Sequence, residues 1–184
     1  NCFLKIVINQ TAGMAYKWFR NEFCIDLMDG NGDAFDLMGE LAGNEPILSR
    51  GVTFFPHLTG MQFPHSDESL RGVFLGIGLN SNRGCFIRSI LEGVGYMLRE
   101  SIEEMHLDPH CIISLGGGAK SQLWSQIKAD ICGTTIVVLE NEESTSLGAA
   151  IMGCIALGIF NDYEVARDHI ARKQEFTPDA ENHG

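Results

Sequence analysis

The feature that most constrains the fold is a regular alternation of short apolar runs and helical stretches after Pro109. The order is strand, glycine loop, helix, strand, helix. The predicted segments are Cys111–Leu115, Gly116–Gly118, Ser121–Cys132, Thr135–Leu139 and Ser144–Gly158. Strands that alternate with helices in this way predict an α/β domain, in which ligands bind at the carboxyl ends of the strands.

The first 105 residues add further strands and helices. Strands are predicted at Phe3–Ile8, Val52–Pro56 and Val73–Ile77, and helices at Met14–Phe23, Ala34–Leu41 and Cys85–Met105. The last helix is long and amphipathic, yet it contains Gly93 and Gly95. Each costs about 1 kcal/mol of helix propensity relative to alanine, so we expect them to permit close approach of another backbone.

Composition places the chain among soluble globular proteins. It has 184 residues, 45% of them apolar and 20% charged. No apolar run approaches the roughly 20 residues of a membrane-spanning helix. The 13 basic and 24 acidic residues give a net charge of −11 without a basic patch. Such a charge repels phosphate backbones and anionic lipids, so we expect neither a nucleic-acid partner nor a membrane.

The cysteines indicate a reduced, cytoplasmic protein. Six are present, and none forms a CxxC pair or a short spacing with histidine that would suggest zinc or a disulfide scaffold. The first residues, Asn1 to Leu4, include no initiator methionine. We therefore expect a piece of a longer chain. A calcium loop from Asp29 is disfavoured, because Ala34 occupies the position that requires glycine.

Three glycines between a strand and a helix leave backbone without side chains, which a flat ligand can approach closely. A Walker A loop is excluded, because Ser114 and Ala119 stand where it requires glycines. A dinucleotide fingerprint stays open on Gly116, Gly118 and Glu140, although its third glycine is missing. The third alternative is the nucleotide-binding half of a two-domain sugar kinase.

A resemblance favours the third alternative. The run from Ile113 to Asp130, ISLGGGAKSQLWSQIKAD, resembles the adenosine-binding segment of FGGY carbohydrate kinases, with xylulokinases as the nearest group. Three more segments resemble the same family in order and spacing, and they are 55–65, 72–93 and 144–158. Within them, Met61 and Gln62 replace the usual Glu-Arg, and Cys85 replaces a polar residue.

The resemblance implies a ribonuclease-H-like α/β fold of the actin, hexokinase and Hsp70 type, with a mixed sheet flanked by helices. Residues 1–184 match the C-terminal nucleotide-binding domain. The catalytic aspartate and the main sugar contacts belong to the N-terminal domain, so we expect no catalytic residue and no metal ligand in this chain. We expect its uncovered interface to favour self-association, so a homodimer is one of the alternatives for its assembly.

The family's ATP contacts fall on five residues of this sequence: Gly13, Lys17, Gly117, Gly118 and Gln122. For Lys17 a solvated position on a helix is the alternative, and for Trp18 and Trp124 we favour core packing. The implied reaction transfers phosphate from MgATP to a sugar, with D-xylulose giving D-xylulose 5-phosphate. Gluconate, glycerol, ribulose and autoinducer-type substrates stay open, as does a non-catalytic binding domain of the same fold.

Overall fold

The computed structural model describes residues 5–9, 11–30, 32–140, 144–162, 164, 170–180 and 182. The helices among them are α1 (Ala12–Phe23), α2 (Ala34–Gly43), α3 (Arg83–Glu104), α4 (Gln122–Cys132) and α5 (Ser144–Ala156). The strands are β1 (Thr53–Phe55), β2 (Val73–Leu75), β3 (Cys111–Ser114), β4 (Thr135–Leu139) and β5 (Arg172–Phe176). Short 3-10 turns lie at Ile25–Leu27, Ile47–Gly51 and Gly117–Ala119.

Two small sheets organise the strands. In the first, β1 and β2 pair antiparallel, with Phe54 opposite Phe74. In the second, β3 and β4 are parallel and β5 runs antiparallel to β4. The described strands and helices therefore form an α/β structure with a mixed sheet, as the sequence predicts. No pattern in the sequence predicts β5.

The long helix α3 lies at the centre of the core. Its Ile87, Ile90 and Leu91 are fully buried, and side chains from α1, α2, α4 and β1 pack around them. The expectation for Gly93 is confirmed, since a Cβ there would collide with the carbonyl oxygen of Phe54. Gly95 instead faces a side chain, because its Cβ would lie 2.7 Å from the Ile131 methyl group.

The predicted strand at Phe3–Ile8 is wrong over the residues that the structure describes, since residues 5–9 belong to no strand. Ile6 and Ile8 are exposed. Two side chains hold this segment against the end of α3. Lys5 Nζ donates to the Met105 carbonyl at 2.9 Å, and Asn9 Nδ2 donates to Ser101 Oγ at 2.9 Å. A β-prone segment that pairs with no neighbouring strand gains no ladder hydrogen bonds.

Local signals define both ends of α4. Ser121 Oγ accepts a hydrogen bond from the Trp124 N–H at 3.2 Å, which confirms Ser121 as the N-cap. Gly133 ends the helix with φ 62°, a left-handed conformation that favours glycine. Over the described ranges, none of the helices combines the length and the apolar character needed to cross a membrane.

Candidate functional site

A cleft of about 470 Å³ lies between the first turn of α1 and the carboxyl end of β3. Gly13 lines it from α1, and Gly117 and Gly118 line it from the turn after β3. Three of the five predicted ATP contacts therefore meet at one cleft, although Gly13 is far in the sequence from Gly117 and Gly118. Apolar side chains from α3, the sheet and α4 also line it: Val94, Met97, Leu98, Ile112 and Trp124.

The turn after β3 exposes its backbone. Gly116 has φ 75° and ψ −164°, a conformation that only glycine adopts readily. The chain then forms a single 3-10 turn, in which the Ala119 N–H donates to the Gly116 carbonyl at 3.0 Å. A Cβ added at Gly117 would meet no atom within 4 Å. A ligand can therefore reach the main chain at Gly117 without displacing protein atoms.

Gly118 has a different environment, because it packs against the indole ring of Trp124. A Cβ at Gly118 would lie 3.2 Å from Cζ3 of that ring. Trp124 is 5% exposed, and its Nε1 donates to the Leu91 carbonyl at 3.2 Å. The core-packing interpretation of Trp124 is thus confirmed. The glycine at 118 allows the turn to lie directly on this fixed ring.

The first turn of α1 forms the opposite wall of the cleft. Thr11 is buried, and its hydroxyl donates to the Pro56 carbonyl, which fixes the chain where the helix begins. Gly13 is exposed, and a Cβ there would meet no atom within 4 Å. The N–H groups of a helix's first turn have no partner inside the helix and favour anions. The wall at Gly13 can therefore receive a phosphate group.

The other two predicted contacts do not line this cleft. Lys17 is exposed one turn after Gly13, on the same face of α1. Gln122 is the first residue of α4 and lines a smaller recess of about 80 Å³ together with Gly116. That recess and the cleft share Ser114 and Leu115, so the two flank the end of β3.

Lys128 of α4 also lines the cleft, and the sequence analysis missed it. It is 8% exposed, and its Nζ donates to Ser114 Oγ at 2.8 Å. Burial lowers the pKa of its ammonium group to about 8. One signal could have found it: Trp124, Ile127 and Ile131 form an apolar stripe at helical spacing, and Lys128 lies within that stripe.

The chain is similar to known proteins over most of its length. Residues 8–157 match the model of the C-terminal domain of the FGGY family of carbohydrate kinases. The xylulose kinase of Bacillus subtilis is 33% identical over 184 residues, covering 98% of this chain and 36% of that protein. The gluconokinase of the same organism is 32% identical, covering 90% and 34%. The chain thus spans about a third of the length of these relatives.

A solved structure supports the fold independently. The ligand-bound xylulose kinase from Lactobacillus acidophilus superposes with a TM-score of 0.82 at 24% identity, covering 94% of this chain and 34% of that one. This agreement confirms the predicted ribonuclease-H-like α/β fold. From the matched model and from the length and identity of the matches, the chain belongs to the FGGY family of carbohydrate kinases.

Proposed function

We propose that residues 1–184 form the ATP-binding C-terminal domain of a carbohydrate kinase, which transfers the γ-phosphoryl group of ATP to a sugar hydroxyl. The observation that carries the proposal is the convergence of Gly13, Gly117 and Gly118 on one cleft in a chain of the FGGY family. The resemblance to this family implies the same three residues as ATP contacts.

The two walls of the cleft suit different parts of ATP. The uncovered main chain at Gly117 gives the purine and ribose a surface to lie on. The first turn of α1 at Gly13 offers N–H groups to phosphate oxygens. In a chain with a net charge of −11, such backbone groups supply the positive potential that the surface lacks.

Lys17 and Gln122 would complete the site from its edges. Lys17 lies one helical turn after Gly13 on the same face of α1, so its side chain would extend toward a phosphate chain bound at the start of the helix. Gln122 carries an amide that both donates and accepts hydrogen bonds, which suits the ribose or the base. ATP would span the end of β3, since the recess that holds Gln122 shares Ser114 and Leu115 with the cleft.

Magnesium would enter with the nucleotide. Mg²⁺ keeps several of its waters and binds chiefly through substrate phosphates, with one or two carboxylates. Within the described ranges, no group of three or more His, Cys, Asp or Glu side chains is placed to hold a metal. When bound, Mg²⁺ neutralises charge that develops on the transferred phosphoryl group.

We propose that the catalytic base belongs to a preceding N-terminal domain, as the family resemblance implies. Asp130 and Asp67 of this chain already have other hydrogen-bond partners. Asp130 is 9% exposed and accepts hydrogen bonds from Gln126 Nε2 at 2.7 Å and from the Asp179 N–H at 2.9 Å. Asp67 accepts hydrogen bonds from the N–H and the hydroxyl of Ser69. A general base must instead reach the sugar hydroxyl.

D-Xylulose, phosphorylated to D-xylulose 5-phosphate, is the substrate we propose first. The xylulose kinase match spans nearly the whole chain, and the gluconokinase match is almost as high in identity. Gluconate is therefore the second candidate, followed by glycerol, ribulose and autoinducer-type substrates. Family membership favours a kinase over the dinucleotide-dependent oxidoreductase. We place the enzyme in the cytoplasm, with sugar and ATP as its small-molecule partners.

Gly117→Val tests the site in the intact protein. We expect the KM for ATP to rise about tenfold, which corresponds to about 1.4 kcal/mol, with little change in the KM for sugar. The reason is that a Cβ at Gly117 would meet no protein atom within 4 Å, so the added side chain would extend into space available to the nucleotide. The measurement is ADP release at varied ATP and varied sugar.

Gly32→Val is the matched control, because Gly32 also has open space around it but lies in the loop before α2. It should leave both KM values unchanged. Equal losses for ATP and sugar in Gly117→Val, or an unchanged KM for ATP, would remove the turn after β3 from the nucleotide site.

A further inference from the structure

Lys128 places an ammonium group where the helix pattern calls for an apolar side chain. Trp124 and Ile127, on the same buried face of α4, are 5% and 4% exposed. Lys128 itself is 8% exposed. Its Nζ lies 2.8 Å from Ser114 Oγ and 5.4 Å from the centroid of the Trp124 ring. The amine therefore sits between α4 and the end of β3.

No carboxylate compensates this charge within the part of the chain that the structure describes. β3 presents the neutral Ser114 hydroxyl to Lys128, and α4 presents Cys132, whose pKa is raised to about 11 by burial. From α3, Arg99 and Glu103 lie near Cys132 and pair with each other at 2.8 Å. A desolvated cation without a counter-charge is unfavourable for folding. A role in function would account for a lysine at this position despite its cost to folding.

Lys128 contacts residues that lie at both ends of the turn at Gly116–Gly118. Ser114 lies two residues before Gly116, at the point where β3 ends. At the other end of the turn, Gly118 packs on the ring of Trp124, over which the Lys128 ammonium is placed. One ammonium group thus contacts the residue that precedes the turn and the ring that supports it.

We propose that Lys128 is a positioning residue for ATP: its ammonium group ties Ser114 to α4 and so holds the turn at Gly116–Gly118 in the geometry that receives the nucleotide. This proposal rests on the proposed function, since it assigns Lys128 to the same site. Lys128 acts through Ser114 and Trp124, not by contact with the reacting atoms.

The affinity for ATP should depend on pH, because the hydrogen bond between Lys128 and Ser114 depends on the charge of the amine. Burial lowers the pKa of Lys128 to about 8, so the group is an ammonium at neutral pH and a neutral amine above that value. The neutral amine is a weaker donor to Ser114 and loses its attraction to the Trp124 ring. ATP affinity should therefore fall as the pH rises through about 8.

The test is the Kd for MgATP of the intact protein, measured by titration calorimetry at about pH 7 and about pH 9.5, on either side of the lowered pKa. We expect Lys128→Met to weaken ATP binding about tenfold at the lower pH and to show little pH dependence. Wild type should approach that weak affinity at the higher pH. Lys128→Arg should bind ATP at both pH values, because arginine keeps its charge.

Thermal unfolding of the same variants separates positioning from folding. Lys128→Met should unfold at a temperature no lower than wild type at about pH 7, since it removes a desolvated charge. Ser114→Ala keeps Lys128 and should weaken ATP binding in the same way, which gives a second route if arginine does not fit. ATP binding equal to wild type in both Lys128→Met and Ser114→Ala would overturn the proposal. The proposal would also be overturned if Lys128→Met bound ATP more weakly and unfolded at a lower temperature while the wild-type affinity for ATP did not change with pH.

Sugar-dependent ADP release from the same preparations tests the proposed function separately. A wild-type protein that binds MgATP but phosphorylates no sugar would count against the kinase assignment, and the affinities of the variants would still decide the role of Lys128. A wild-type protein that binds no MgATP would overturn both proposals.

Discussion

Glu92→Ala is expected to lower the free energy of unfolding by about 3 to 5 kcal/mol, because it leaves a buried guanidinium without its carboxylate. Glu92 is 5% exposed, and its Oε1 accepts from Arg88 Nε at 2.8 Å. The same oxygen accepts from the Leu48 N–H at 3.1 Å, and Oε2 accepts from Ser49 Oγ at 2.7 Å. The substitution removes all these contacts together.

The segment that Glu92 holds is strained, which adds to the expected loss. Leu48, Ser49 and Arg50 have φ values of 63°, 51° and 56°, left-handed conformations that are unfavourable for residues with a Cβ. Such a turn persists only when its surroundings fix it. Without the Glu92 carboxylate, the N–H of Leu48 and the hydroxyl of Ser49 lose their acceptors inside the protein.

The same helix supplies a matched control. Arg99 and Glu103 also pair at 2.8 Å with a spacing of four residues, but their side chains are 40% and 62% exposed. Glu103→Ala should therefore cost no more than about 0.5 kcal/mol. Urea-induced unfolding measures both variants, and equal losses would show that burial does not set the energetics of the Arg88–Glu92 pair.

Gly93→Ala should cost about 3 kcal/mol, although alanine is the better helix former. Gly93 lies inside α3, and a Cβ there would collide with the carbonyl oxygen of Phe54 and lie 3.6 Å from its Cβ. Phe54 belongs to β1 and is 2% exposed, so neither element can move away without opening the core. The free energy of unfolding in urea is the quantity to measure.

Gly39→Ala in α2 is the comparison for Gly93→Ala. A Cβ at Gly39 would meet no atom within 4 Å, so only helix propensity changes there. This variant should be more stable than wild type by up to about 1 kcal/mol. A gain in stability for Gly93→Ala as well would mean that α3 and β1 are not in close backbone contact.

The elements that could be predicted from sequence are those with local signals. The start of α4 at Ser121 and its end at Gly133 follow from capping chemistry, and the hydrophobic spacing of α3 needs no tertiary information. The turn at Leu48 to Arg50 has no such signal. Its partner, Glu92, lies more than forty positions along the chain. The turn's three left-handed residues are not glycines, although Gly51 follows them with φ 89°.

Some features of the candidate site also have a local sequence signal, and others depend on tertiary packing. The spacing of the strand, the three glycines and the helix indicates that Gly116–Gly118 expose their backbone. It does not indicate that Gly13 lies close to them in the fold. The family resemblance implies that Gly13 belongs to the same site, and Gly13 lines one cleft together with Gly117 and Gly118. The packing of Gly118 on Trp124 and the place of Lys128 depend on how α4 lies against β3. The strand predicted at Phe3–Ile8 does not form over its described residues, 5–8, because propensity carries no information about an available partner.

The most direct measurement of the central claim is ADP release by the intact protein with MgATP and D-xylulose, with gluconate and glycerol in parallel and the 184-residue chain alone as a further arm. We expect sugar-dependent release from the intact protein, fastest with D-xylulose. We expect none from the chain alone, since the base that we propose for activation of the sugar hydroxyl belongs to an N-terminal domain outside it. Turnover by the chain alone near the rate of the intact protein would place a catalytic base within these residues. No release from the intact protein with any sugar would contradict the assignment of this domain to a carbohydrate kinase.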